Sequence, residues 1–127
     1  MEDGNTKRRN SPNFNSPEDI RSSDANEGTF IPAEDMIITD PNVIPSFTHE
    51  KKQILLEILL TQEKTIMELS TATGMNPGTV KRHISELQKY GVVVVARTQI
   101  NKKRILLKYY RTSALHFTFH FEWPGIQ

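Results

Sequence analysis

A chain of 127 residues supports one small domain plus extra segments, and its mix of 36% hydrophobic and 24% charged residues lets a folded core and an unfolded part coexist. There is no cysteine, which excludes disulfides, thiolate metal sites and cysteine nucleophiles. The formal charge of +1 hides an asymmetry: residues 1–35 hold four basic groups against eight acidic ones, a net −4, while the remainder carries +5.

Residues 1–35 are rich in Asn, Ser, Asp, Glu and Pro and show no apolar period. Such a stretch buries too little surface to offset its ordering entropy, so a disordered acidic arm is expected there. Lys7, Arg8 and Arg9 form a short basic run within it, a candidate DNA contact set against ordinary solvation. No apolar run approaches a membrane span, and the N-terminal residues lack the apolar core of a signal peptide, so a cytoplasmic protein without membrane contact is expected.

Order is expected from about Met36. Asp40-Pro41 reads as a cap followed by a first-turn proline, opening a short helical turn that Pro45 should stop. Thr48 should then cap a longer helix from His49 to about Thr61. Its stripe is Ile54, Leu55, Ile58 and Leu59, and Leu56 and Leu60 widen the apolar arc beyond what one-sided burial needs. Thr65 and Glu68 have the spacing of a capping box, and Gly74 ends that helix about two turns later.

The next stretch is the best defined. Asn76 can cap and Pro77 suits the first helical position; Gly91 supplies a left-handed stop. At about 100° per residue, Val80, Ile84 and Leu87 share one side of the 77–89 helix. Gly78, Lys81, Arg82, Ser85 and Lys89 share the other, a face of cations, hydroxyl and glycine suited to phosphates and base edges. Val92 to Thr98 and Ile105 to Arg111 then read as two strands around the polar tip 99–104, with Tyr109 and Tyr110 on opposite faces.

Two short helices across a glycine-bearing turn, followed at once by a hairpin, make a winged helix-turn-helix. The expected fold class is therefore mainly α with a small β-hairpin. Its divisions are the arm at 1–35, the winged domain at 36–112 and an aromatic, strand-like extension at 113–127. In that extension Leu115, Phe117, Phe119, Phe121 and Trp123 alternate with His116, Thr118, His120 and Glu122. The aromatic side is a candidate dimer surface, packing on the first long helix being the simpler alternative. The polar side is expected to be solvated rather than a metal site.

The run Asp40-Pro41…Val43-Ile44…Thr48-His49…Lys52…Ile54-Leu55 resembles the first helices of ArsR-type winged-helix regulators. So does Thr65…Glu68-Leu69…Ala72-Thr73-Gly74-Met75-Asn76-Pro77…Thr79-Val80…Arg82-His83-Ile84…Leu87…Tyr90-Gly91-Val92-Val93, with the hairpin after it, over roughly residues 40–111. The resemblance implies a homodimeric transcriptional regulator on double-stranded DNA, with the 77–89 helix in the major groove and the wing along the backbone. Metal sensing is not implied: no cysteine pair lies near the recognition helix, and the C-terminus does not read as a histidine- and carboxylate-bearing helix.

The expected DNA-binding set is Asn76, Gly78, Thr79, Lys81, Arg82, Ser85 and Lys89 from the helix, with Arg97, Asn101, Lys102, Lys103 and Arg104 from the wing. The competing reading is a winged helix used for protein contacts in a transcription or chromatin assembly, which would favour acidic or apolar residues on that helix face. No glycine-rich phosphate loop, nucleophile–base pair or paired carboxylates support an enzyme, and no cofactor is expected.

Overall fold

The structure is a computed structural model that describes residues 29–125, so the acidic arm lies outside the described residues as far as residue 28, including Lys7, Arg8 and Arg9. The described chain runs β1 (Met36–Ile38), a 3-10 turn (Pro41–Val43), α1 (Ile44–Thr48), α2 (Glu50–Leu59), α3 (Ile66–Thr73), α4 (Pro77–Lys89), β2 (Val93–Ile100), β3 (Leu106–Thr112) and β4 (Phe117–Phe119). This is a winged helix-turn-helix, with α3 and α4 as the helix pair and β2–β3 as the antiparallel wing.

Local chemistry sets most of the boundaries. Asp40 accepts from the Asn42 amide at 2.9 Å. Thr65 and Glu68 form the reciprocal box at 3.1 and 3.0 Å, satisfying two otherwise orphaned amides. Gly74 and Gly91 take left-handed backbone at φ 79° and 75°, closing α3 and turning the chain from α4 into the wing.

Three details differ from the sequence-based expectation. Pro45 does not stop a helix; it lies in the first turn of α1, where its missing N–H has no intrahelical partner to lose. The break comes at His49, whose extended backbone separates α1 from α2 and whose Nδ1 accepts from the Lys51 amide at 3.2 Å. His49 is thus the cap in place of Thr48, whose hydroxyl turns back to the Ile44 carbonyl. The α2 stripe is also rotated: Leu55, Leu56 and Leu59 are buried and Ile54 is exposed. Leu56, expected to lie spare, belongs to the core.

That core joins Leu55 and Leu59 to Leu69, Val80, Ile84, Leu87, Val92, Val93 and Tyr110. Fully buried side chains of this size contribute about 1.5–3 kcal/mol each, so truncating Ile84 would loosen α4 from all its neighbours at once. The end of α2 is fixed from the wing. Arg111 donates Nε to the Leu59 carbonyl and a terminal nitrogen to that of Leu60, both at 2.9 Å, satisfying helix-end acceptors with a cation.

The C-terminal stretch is a strand over Phe117–Phe119 only, paired in parallel with β1 so that Met36 lies opposite Phe117. Residues 33–35, expected in the arm, are instead tied to it. Ala33 bridges Ala114, and Asp35 accepts from the Thr118 hydroxyl at 2.9 Å and lies 2.8 Å from His116 Nδ1. The His116 hydrogen bond, and then that of Thr118, hold the Asp35 carboxyl below its ordinary range. Phe47 of α1 packs on the strand, its ring 5.1 Å from that of Phe117 and 5.0 Å from that of Phe119.

Candidate nucleic-acid interface

The turn between α3 and α4 is held by side chains that face it. Ser70 donates to the Met75 carbonyl at 2.6 Å, and the Met75 amide donates to the Thr73 hydroxyl at 3.1 Å. Asn76 Oδ1 then accepts from the Gly78 amide at 2.7 Å, starting α4. A Cβ on Gly78 would meet that oxygen at 3.1 Å, so glycine here lets the cap close and leaves the first turn of the helix bare.

Val80, His83, Ile84 and Leu87 are the buried side of α4. Asn76, Gly78, Lys81, Arg82, Ser85 and Lys89 are all exposed, and Thr79 is half-buried at their margin. The structure therefore brings the helix residues of the expected set together on one open face. Among the described residues, the side chains of Lys81, Arg82 and Ser85 make no hydrogen bond or ion pair. Lys89 lies over the Tyr90 ring, 5.7 Å from its centroid.

One carboxylate flanks this face, contrary to the expectation of none. Glu86 is exposed one turn beyond Arg82, but Lys52 of α2 grips its Oε1 at 2.7 Å. The hydrogen bond from Lys52, then its charge, hold the Glu86 carboxyl below its ordinary range. The pair draws the negative charge toward α2 and neutralises it.

Sequence reasoning assigned no site role to His83. It is buried, its Nδ1 has no hydrogen-bond partner, and its ring lies 4.9 Å from that of His49. Burial, followed by the charges of His49, Arg82 and Lys52, pushes its pKa down, with Glu86 opposing. Its place between Val80 and Ile84 on the inner side of the helix period was the available signal.

The wing is longer than expected. β2 and β3 pair from Val93–Thr112 to Ile100–Leu106, with a bulge between Val95 and Arg97. Its tip is a tight turn in which the Arg104 amide donates to the Asn101 carbonyl at 2.9 Å. Asn101 Oδ1 accepts from the Lys103 and Ile105 amides at 2.8 and 3.0 Å. Arg104 completes the turn in left-handed backbone at φ 65°, the position glycine usually takes in such hairpins. Lys102, Lys103 and Arg104 are exposed without side-chain partners among the described residues, whereas Asn101 is spent on the turn.

Arg97 is set apart from them. Its guanidinium is ion-paired to Glu63, bonded to Gln99 at 2.8 Å and stacked 3.8 Å from the centre of the Tyr109 ring. Burial works against its charge, but Glu63 and Tyr109 outweigh it and raise the pKa. Tyr110 takes the core side of the strand, and Tyr109 serves as this platform.

Residues 49–95, from the cap of α2 into β2, match the family model of the bacterial regulatory proteins of the arsR family. The helix-turn-helix segment is ArsR-like. The fold is similar to the homodimeric winged helix-turn-helix DNA-binding domain of Mb0332 from Mycobacterium bovis, a possible ArsR-family transcriptional regulator. That likeness has 24% identity and a TM-score of 0.46 and covers 57% of this chain and 61% of that one. It is also similar to HlyU from Vibrio cholerae, with 21% identity and a TM-score of 0.47, covering 57% of this chain and 72% of that one. The match thus spans less than two thirds of the Mycobacterium bovis fragment. No curated protein matches the chain significantly. Among the described residues, no helix is long and apolar enough to cross a membrane, and no group of three or more His, Cys, Asp or Glu could hold a metal ion.

Proposed function

We propose that the chain is a DNA-binding transcriptional regulator rather than an enzyme, acting in the cytoplasm as a homodimer. In this reading α4 lies in the major groove and the tip of the wing touches the backbone. The observation that carries it is the outer face of α4: Lys81, Arg82 and Ser85 stand open and unpaired, and the one flanking carboxylate is neutralised by Lys52. The ArsR-type match over the same segment supports it.

The roles divide by reach. Arg82 is long, forked and in the first half of the helix, suited to the O6 and N7 of a guanine; Ser85 is next to it on the face. Lys81, Lys89 and the wing cations suit phosphates, which position the protein without reading sequence. The acidic arm ahead of residue 33 and a dimerising extension at 113–127 belong to the same reading, the arm screening the basic face at low salt.

The test is selection of bound fragments from random duplex DNA by the purified protein. The expected result is an enriched palindrome whose half-sites lie about one helical turn apart. Recovery of unenriched sequence, with binding indifferent to salt, would overturn the reading.

A further inference from the structure

We propose that the outer edge of β4 is the dimer seam, where β4 of a second copy adds in antiparallel register about a two-fold axis through Phe119. The proposal deepens the dimeric reading above by naming its surface.

The first observation is an open edge. In the parallel β1–β4 pair, the Met36 amide donates to His116 and the His120 amide donates to Ile38, so the even residues of β4 turn their backbone toward β1. The N–H and C=O groups of Phe117 and Phe119 therefore point away from β1, and among the described residues they have no partner. A parallel pair of three-residue strands is a marginal sheet, and among the described residues no further strand covers its outward edge.

The second observation is self-complementarity. Within β4 only the odd residues turn their backbone outward, whereas Leu115 ahead of it donates its amide to Ala33, so a two-fold axis through Phe119 pairs Phe119 with itself and Phe117 with Phe121 of the second copy. On the other side of the pleat, the same register sets Thr118 opposite His120 and His116 opposite Glu122, an imidazole facing a carboxylate. Apolar thus meets apolar and a hydrogen-bonding imidazole meets a carboxylate, as a symmetric interface requires.

A third observation supplies a receptor for the remaining aromatic. Leu56, Leu60, Leu115, Phe117 and Phe119 line an open groove of about 400 Å³ between α2 and β4. Continued beyond β4, the same register would bring Trp123 of the second copy toward the Leu115 side of this groove. Trp123 is 93% exposed in the single chain, an unusual state for an indole, and Phe119 and Phe121 remain substantially exposed as well.

The chain has one tryptophan and no cysteine, so both natural probes are clean. Sedimentation and Trp123 emission of the full chain should be followed together on dilution. The expected result is a dimer at micromolar concentration whose emission shifts red as it dissociates. Phe121→Pro removes an N–H that β1 does not use; it should raise the dimer dissociation constant at least tenfold with unchanged circular dichroism. Phe119→Cys should cross-link to its own symmetry mate under mild oxidation, because an opposed hydrogen-bonded pair lies about 5.5 Å apart between Cα atoms, within disulfide range. Met67→Cys, exposed on α3, should not.

A stable dimer with a fully solvated indole and no cross-link at 119 would overturn the seam, as would a wild type that stays monomeric. If Phe121→Pro unfolds, the cross-link and the emission still decide. A monomer that binds DNA with a steep salt dependence would sink the seam alone. A β4-linked dimer indifferent to DNA would sink the regulator reading alone.

Discussion

At the scale of single residues, His83 exacts a stability cost within α4. Its Nδ1 is buried without a partner, and the groups facing it are the His49 ring, Arg82, Lys52 and, at 3.9 Å, Glu86. Burial first, then the three cations or potential cations, lower its pKa from the ordinary 6.5. The unfolded chain therefore binds the proton more readily. The stability associated with neutral His83 is fully present above 6.5 and is lost as pH falls toward the lower folded value. Urea midpoints measured from pH 7.5 to 5.5 should fall for the wild type and fall less for His83→Leu. By removing an unsatisfied buried nitrogen, that variant should also gain on the order of 1 kcal/mol at neutral pH. Arg82, its neighbour in sequence, points the other way, and Arg82→Ala should cost about 1–3 kcal/mol on the preferred site and less on random DNA. Equal losses on both would assign Arg82 to phosphate. The outward position of Arg82 was legible from helical period alone. The lack of a partner for His83 depends on His49 and Lys52, more than thirty positions away, and was not.

At the scale of elements, the wing separates charge from geometry at one residue. Arg104 holds left-handed backbone, which costs a non-glycine residue about 1–2 kcal/mol. Arg104→Gly should therefore raise the thermal midpoint while weakening DNA binding, and Lys102→Ala with Lys103→Ala should weaken binding with little effect on stability. A fall in both properties for Arg104→Gly would mean that the side chain supports the turn. The elements most legible in the sequence were those whose ends are local chemistry: the Thr65–Glu68 box, the Asn76-Pro77 start of α4, and the glycines at 74 and 91. Those set by distant partners were less legible. The end of α2 is held by Arg111 and Thr112 on the Leu59 carbonyl and by Arg111 on that of Leu60, contacts made across fifty residues. The alternation from Leu115 to Trp123 announced a strand, but not that β1 would be its parallel neighbour.

At the scale of the whole molecule, the unpaired positive charge is smaller than composition suggests. The residues after position 35 carry twelve basic groups. Lys52 is committed to Glu86, Arg97 to Glu63 and Tyr109, and Arg111 to the end of α2. The cations left on α4 and the wing tip are Lys81, Arg82, Lys89, Lys102, Lys103 and Arg104. Two protomers could then neutralise on the order of six to ten phosphates, and affinity should fall by roughly three to five decades between 50 and 200 mM salt. The internal pairs matter to that slope as well. Lys52→Ala leaves all six of these cations in place but frees the Glu86 carboxylate beside Arg82, returning a negative charge to the exposed face of α4. Binding should weaken at low salt, and the log–log slope should become shallower, as if a phosphate contact had been removed. Lys52→Ala with Glu86→Gln should restore both, because the mutated lysine never touched the duplex. A double variant as weak as Lys52→Ala alone would instead make Lys52 a DNA contact in its own right, and a flat plot for the wild type would remove the duplex from the account altogether.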